Sequence, residues 1–129
     1  KKRVGSYGVI IENERVGVVK AQGYDTYFLT GGGIDAGETE TESLRREARE
    51  EIGCEIEIGE KIGEAIEYFY SNGEKRYVAK ECRFYRVNLV GKSDGKGKHE
   101  LFWITENERD KLHHECYRWI VARELNTKN

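Results

Sequence analysis

The chain contains no methionine and no proline among its 129 residues. Lacking methionine, it is expected not to begin at its own initiator, and nothing in the sequence accounts for the missing proline. Its three cysteines, Cys54, Cys82 and Cys116, are odd in number and show no Cys-x-x-Cys spacing. They read as free thiols in a reducing compartment, so a cytoplasmic location is expected. His99, His113 and His114 form no zinc-ligand pattern with them. No apolar run approaches the roughly 20 residues that cross a bilayer, and no signal peptide is visible, so no membrane partner is expected. Net charge is −2 with both signs interspersed, so no overall basic field points to a nucleic-acid polymer. The basic runs Lys1 to Arg3 and Lys92 to Lys98 read as a solvated tail and a solvated loop.

What remains suits one domain over residues 1–129, long enough to bury a core. Val4 to Ile11 reads as a strand, Glu12-Asn13-Glu14 as a turn, and Arg15 to Ala21 as the returning strand. Tyr27-Phe28-Leu29 is a short third strand leading into a glycine turn. Thr39 followed by Glu42 fits a capping box that starts a helix. Leu44, Ala48 and Ile52 stripe the core side of that helix, and Gly53 ends it. Glu55 to Ile58 alternates as a strand. Ile62 to Tyr70 and Lys75 to Asn88 read as longer strands joined at Ser71-Asn72-Gly73-Glu74, where Asn-Gly signals a hairpin. Leu89 to His99 reads as a polar loop and Leu101 to Ile104 as a last strand. Thr105 to Leu112 reads as a short helix with a second capping-box spacing at Thr105 and Glu108. His113 to Leu125 reads as a longer helix with Cys116, Trp119, Ile120 and Arg123 on one face. The class expected is α+β, a mixed sheet sandwiched between helices (α/β/α).

The chemistry concentrates in Gly32 to Glu38 and Arg46 to Cys54. Glu47, Glu50 and Glu51 stand at i, i+3 and i+4 and project from one side of the first helix, where like charges repel. Taken alone they are compatible with a solvated surface helix. They also make a cluster of hard oxygen ligands that a cation such as Mg²⁺ would neutralise. About 100° of rotation per residue carries Glu47 and Glu50 away from the apolar stripe and leaves Glu51 along its edge, the carboxylate expected to be partly buried. Gly32, Glu38, Arg46, Glu47, Glu50, Glu51 and Gly53 stand in type and spacing as in the Nudix box, which this segment resembles. Ala48 and Cys54 stand where that family usually has Ile, Leu or Val, and Thr30 where it often has proline. These departures bear on packing more than on chemistry.

The resemblance implies a MutT-like Nudix hydrolase. Such an enzyme cleaves a phosphoanhydride of a nucleoside diphosphate linked to some other group, with Mg²⁺ (or Mn²⁺) as cofactor. It implies Glu50 and Glu51 as central metal ligands, Glu47 as a further ligand or base, and the Gly31 carbonyl completing the set. Arg46 is expected to pair with a box carboxylate, with a plain surface ion pair as the alternative. Glu38 and Gly37 are expected to shape the junction between loop and helix. Glu100, three residues before Trp103, is a candidate extra ligand or base, or an ordinary strand-end residue. The Gly91, Gly95 and Gly97 segment with Lys92, Lys96 and Lys98 is expected to close over the phosphates. Tyr24, Tyr27, Tyr68 and Tyr70 are candidates for stacking on a base, with core or half-exposed packing as the alternative. An oxidised or ordinary nucleoside triphosphate is the expected substrate. A dinucleoside polyphosphate hydrolase, to which Tyr70 points, is one alternative, and a non-catalytic nucleotide- or protein-binding module of the same fold is another. Monomer and homodimer both remain open.

Overall fold

The computed structural model describes residues 2–91 and 97–126. Among the described residues, seven strands and two α-helices follow one another as β1 (Lys2–Glu12), β2 (Arg15–Lys20), β3 (Tyr27–Phe28), β4 (Thr30–Gly33), α1 (Glu40–Ile52), β5 (Glu55–Ser71), β6 (Arg76–Val90), β7 (Leu101–Ile104) and α2 (Glu115–Leu125), with a 3₁₀ turn over Glu106–Lys111. β1 is the hub. It pairs in parallel with β6 from Lys2↔Ala79 to Ile10↔Val87, and antiparallel with β4 from Gly5↔Gly33 to Gly8↔Thr30. Its last residues turn to pair with β2, which carries β3 and β7. β5 closes the other side against β6.

The two faces of the sheet bury separate clusters. Leu44, Ala48 and Ile52 of α1 pack with Ile10, Val19, Cys54, Ile56 and Val87. Cys116, Tyr117, Ile120 and Val121 of α2 pack with Tyr7, Val9, Cys82 and Phe84 on the opposite face. The result is the expected α+β mixed sheet between helices.

Several boundaries depart from the sequence reading. The glycine segment is not only a turn: Thr30 to Gly33 is a strand, because β1 takes up its amides and carbonyls. Glu55 to Ser71 is one continuous strand, and register shifts between Ile58 and Lys61 and between Lys61 and Gly63 hide its alternation. β6 runs to Val90, two residues past the expected strand end at Asn88, and residues 92–96 of the loop that follows lie outside the described residues. The hairpin forms at the expected place, yet Lys75 rather than Asn72 or Gly73 takes the left-handed conformation, at φ 56°. The Lys75 N–H donates to the Ser71 carbonyl at 2.7 Å and closes the loop. The short helix expected at Thr105 is the 3₁₀ turn, where Glu108 Oε1 accepts the Thr105 N–H at 3.0 Å. On α2 the buried face runs through Cys116, Tyr117, Ile120, Val121 and Leu125. Trp119 is 45% exposed and sits at that face's margin, with the Arg123 guanidinium 5.0 Å over its ring.

Candidate active site

Helix α1 starts and stops where its local chemistry dictates. Thr39 Oγ1 accepts the Glu42 N–H at 3.1 Å, and Glu42 Oε1 accepts the Thr39 N–H at 2.9 Å. Gly53, at φ 65°, caps the far end by donating to the Arg49 carbonyl at 3.1 Å. With both ends fixed and the Leu44–Ala48–Ile52 stripe buried, the Glu47, Glu50 and Glu51 side chains have defined directions.

Gly31 and Gly32 let the main chain approach these carboxylates. Gly31 adopts φ 142°, and a Cβ there would lie 2.2 Å from the Ser6 carbonyl oxygen. A Cβ on Gly32 would lie 2.6 Å from Glu47 Oε2. Backbone conformation and backbone contacts admit only glycine at Gly31, whereas a side chain at Gly32 would push the Glu47 carboxylate aside. The Gly31 N–H donates to Glu51 Oε1 at 3.1 Å, fixing that carboxylate across the strand. Burial raises the Glu51 carboxyl to about 8, opposed by the Gly31 hydrogen bond and reinforced by Glu47 and Glu50. Burial also raises Glu47, with Arg46 opposing it. As the helix rotation foretold, Glu51 is partly buried, with the strongest effect of burial on its carboxyl, and Glu50 faces solvent.

Arg46 is the fastener of the site. Its Nε donates to Glu38 Oε2 at 2.7 Å and its Nη2 to Glu38 Oε1 at 3.0 Å, a bidentate clasp. The same guanidinium reaches Glu47 Oε2 at 3.3 Å, Glu50 Oε1 at 3.2 Å and the Gly33 carbonyl at 3.1 Å. The clasp holds the Glu38 carboxyl below its ordinary range. Glu38 also accepts the Asp35 N–H at 2.9 Å, so it shapes the loop-to-helix junction as expected.

The donor chemistry fits a hard divalent cation. Three carboxylates share one helix side, a main-chain segment is free of side chains beside them, and the Arg46 guanidinium pairs with two of them, Glu47 and Glu50. As they stand, no three acidic, imidazole or thiol groups among the described residues converge on one point. Glu50 and Glu47 are instead turned toward Arg46.

The segment that carries Glu100 is docked on the box helix. The Lys98 and His99 N–H groups donate to the Glu50 and Glu51 carbonyls at 2.8 Å and 2.7 Å. Gly97 packs so closely that a Cβ would sit 2.5 Å from the Glu51 carbonyl oxygen. Glu100 lines a cavity of about 410 Å³ with Lys20, Gln22, Tyr24, Lys98 and His99. The expected closing motion falls largely on residues 92–96, outside the described residues.

The tyrosines divide. Tyr24 lines that cavity, its ring edge-on to Phe28 at 5.2 Å and to His113 at 5.1 Å. Tyr27 is half-buried against Phe102. Tyr68, 73% exposed, and Tyr70, edge-on to Tyr77, stand on the outer β5–β6 hairpin. Sequence reasoning missed a polar group on the α2 face: Lys80 Nζ donates to Tyr7 Oη at 2.6 Å, and Glu67 bonds the His114 ring at 3.0 Å. These four residues come from β1, β5, β6 and the start of α2, so no local spacing announces them.

The NUDIX domain family model matches residues 2–129. A Mycobacterium tuberculosis (strain CDC 1551 / Oshkosh) protein provisionally named 8-oxo-dGTP diphosphatase 2 is 37% identical over 84 residues, 62% of this chain and 54% of that one. The 8-oxo-dGTP diphosphatase of Haemophilus influenzae (strain ATCC 51907 / DSM 11121 / KW20 / Rd) is 32% identical over 81 residues, 62% of this chain and 55% of its own. The match thus spans about half the length of these curated relatives. The Escherichia coli dihydroneopterin triphosphate pyrophosphohydrolase shares the fold at TM-score 0.77 with 14% identity, covering 97% of this chain and 96% of that one. With Arg46 and the three box carboxylates assembled on α1 and the family match running almost end to end, the chain belongs to the Nudix family.

Proposed function

We propose that the chain hydrolyses a phosphoanhydride of a nucleoside diphosphate linked to a further group, with Mg²⁺ as its metal, and that an oxidised nucleoside triphosphate is its substrate. The observation that carries the reaction class is the Glu47, Glu50 and Glu51 set, fixed through the Gly31 amide and the Arg46 clasp. The names of the two relatives support the substrate class.

Glu50, Glu51 and Glu47, with the Gly31 carbonyl, would hold the metal, and Glu100 is proposed as a further ligand or as the base. Bound there, Mg²⁺ supplies charge neutralisation on the phosphates and a bound water of lowered pKa. The protein's own contribution is positioning. Arg46 keeps Glu47 and Glu50 oriented, and the Gly31 N–H holds Glu51 in one rotamer. Lys20 and Lys98 place positive charge at the cavity that Glu100 lines, and Tyr24 offers a face there for a base. No observation at Tyr70 favours the dinucleoside polyphosphate alternative. Retention of all three carboxylates disfavours a non-catalytic module.

Purified protein with Mg²⁺ and a panel of nucleoside triphosphates, their oxidised forms, dinucleoside polyphosphates and nucleotide sugars tests this reading. Release of pyrophosphate and a nucleoside monophosphate is expected from the triphosphates. Binding without turnover of any panel member would support the non-catalytic module. Glu51→Gln is expected to lower kcat about 10²-fold with little change in KM, because a fixed charge at the reacting phosphate acts in the transition state. Glu100→Gln with an unchanged kcat and pH–rate profile would assign the base to the box.

A further inference from the structure

Two of the three thiols meet across the face opposite the box. Cys82 on β6 and Cys116 in the first turn of α2 hold their sulfurs 3.8 Å apart, 34 residues distant in sequence. Cys82 is 0% and Cys116 7% exposed, and both belong to the cluster beneath α2. Cys54 is in the other cluster, its thiol donating to the Ile52 carbonyl at 3.4 Å. Cys116 also lines a groove of about 450 Å³ between β5 and α2, beside Ala65, Glu67, Glu115 and Trp119. That groove admits a small oxidant to a pair otherwise sealed from solvent.

We propose that Cys82 and Cys116 form an oxidisable dithiol, converted by hydroperoxides into an intramolecular disulfide that ties α2 to β6. Three features favour the chemistry. The sulfurs are in contact already and need to close by roughly 1.8 Å to reach bonding distance. The two thiols share a hydrogen bond that either can donate, and it acts with the Lys80 ammonium to hold Cys82 below the ordinary thiol range despite its burial. The same hydrogen bond and burial push the Cys116 thiol up.

The thiolate of the pair attacks one peroxide oxygen and the O–O bond breaks, giving a sulfenic acid and hydroxide or alkoxide, which takes up a proton. The partner thiol then attacks the sulfenic sulfur, the S–S bond forms, and water leaves. Two thiols lose two electrons in total and one peroxide gains them. The link closes a loop of 34 residues, so it removes freedom from the unfolded chain. It also pins the turn where the Cys116 N–H donates to Glu67 at 2.9 Å.

The test is independent of the enzyme's substrate. Reduced and hydrogen-peroxide-treated protein are alkylated under denaturing conditions, counted for thiols, digested and mapped. The expected result is three thiols before treatment and one after, in a monomeric chain, with the Cys82 and Cys116 peptides joined. Thermal unfolding of the oxidised form is expected on the order of 10 °C higher, reversed by a dithiol reductant. Cys54→Ala should retain the link and the shift. Cys116→Ala, or Cys82→Ala should that variant fail to fold, should lose both. Three thiols persisting after treatment, a link through Cys54, or sulfinic acid without a link would overturn the proposal.

Discussion

Burial raises the Glu51 carboxyl to about 8, whereas an unfolded-chain Glu titrates near about 4.3. Between those values the folded metal-free protein holds a proton that the unfolded chain has released. Its contribution to stability is therefore complete below about pH 4.3 and is lost as pH rises through about 8. Chelator-treated protein is expected to melt at progressively lower temperature over that window. Glu51→Gln should flatten the slope, and so should a saturating divalent cation that supplies the missing opposite charge. A melting temperature independent of pH in the metal-free parent would place Glu51 in water. The site's other cost is at Thr30, whose buried Oγ1 has no hydrogen-bond partner among the described residues. Thr30→Val keeps the shape and removes the hydroxyl, so it should raise stability by about 1 kcal/mol in denaturant titration. Arg46→Lys keeps the charge but not the two-pronged clasp on Glu38, and a kcat about tenfold lower is expected at near-constant KM. Glu47, Glu50, Glu51 and Arg46 were legible because one helix carries them all. The partners of Lys80 and Glu67 were not, because the β1–β6 pairing brings Tyr7 to Lys80 and the packing of α2 on β5 brings His114 to Glu67.

Local chemistry made α1 readable almost to the residue. Its capping box, apolar stripe and terminal glycine each act within a few positions of the chain. Thr39→Ala removes the acceptor for the Glu42 N–H and should cost about 1 kcal/mol. Since the box carboxylates hang from that helix, kcat should fall more than the unfolding midpoint alone accounts for, and paired kinetic and denaturation measurements separate the two. Elements defined by their neighbours were harder to read. Nothing in Thr30-Gly31-Gly32-Gly33 has a strand period, and the segment is a strand because Gly5 to Gly8 accept it as one. β5 is long because β6 continues beside it through the register shifts, and each shift turns the side-chain alternation over. On α2 a stripe through Cys116 and Ile120 was correct, but Trp119 and Arg123 pair with each other at the margin while Tyr117 fills the interior.

At the scale of the molecule, the parallel pairing of β1 with β6 decides the architecture, and it joins segments that lie on either side of α1 and β5. No turn signal can reveal such a contact, so sequence reading reached the layer order without the strand order. The pairing also couples the two halves of the core. Ile10 belongs to the cluster under α1, whereas Val9, one strand position away, and Tyr7, three away, belong to the cluster under α2. A cavity on either face therefore loosens the same strand. Leu44→Ala, on the α1 face, should cost about 2–5 kcal/mol, and Phe84→Ala, on the α2 face, about 3–5 kcal/mol. Each variant should still unfold in a single transition, with helix signal and tyrosine environment lost together. If the faces were independent, Leu44→Ala would split the transition and leave the α2 face folded after α1 had melted. Coincidence matters for the chemistry too, since the Gly31 amide that fixes Glu51 sits on β4, held to β1 at Tyr7. Phe84→Ala lies far from the carboxylates in sequence but next to Tyr7 in the sheet. It should therefore weaken divalent-cation binding, read by titration calorimetry, under conditions where the variant is still fully folded.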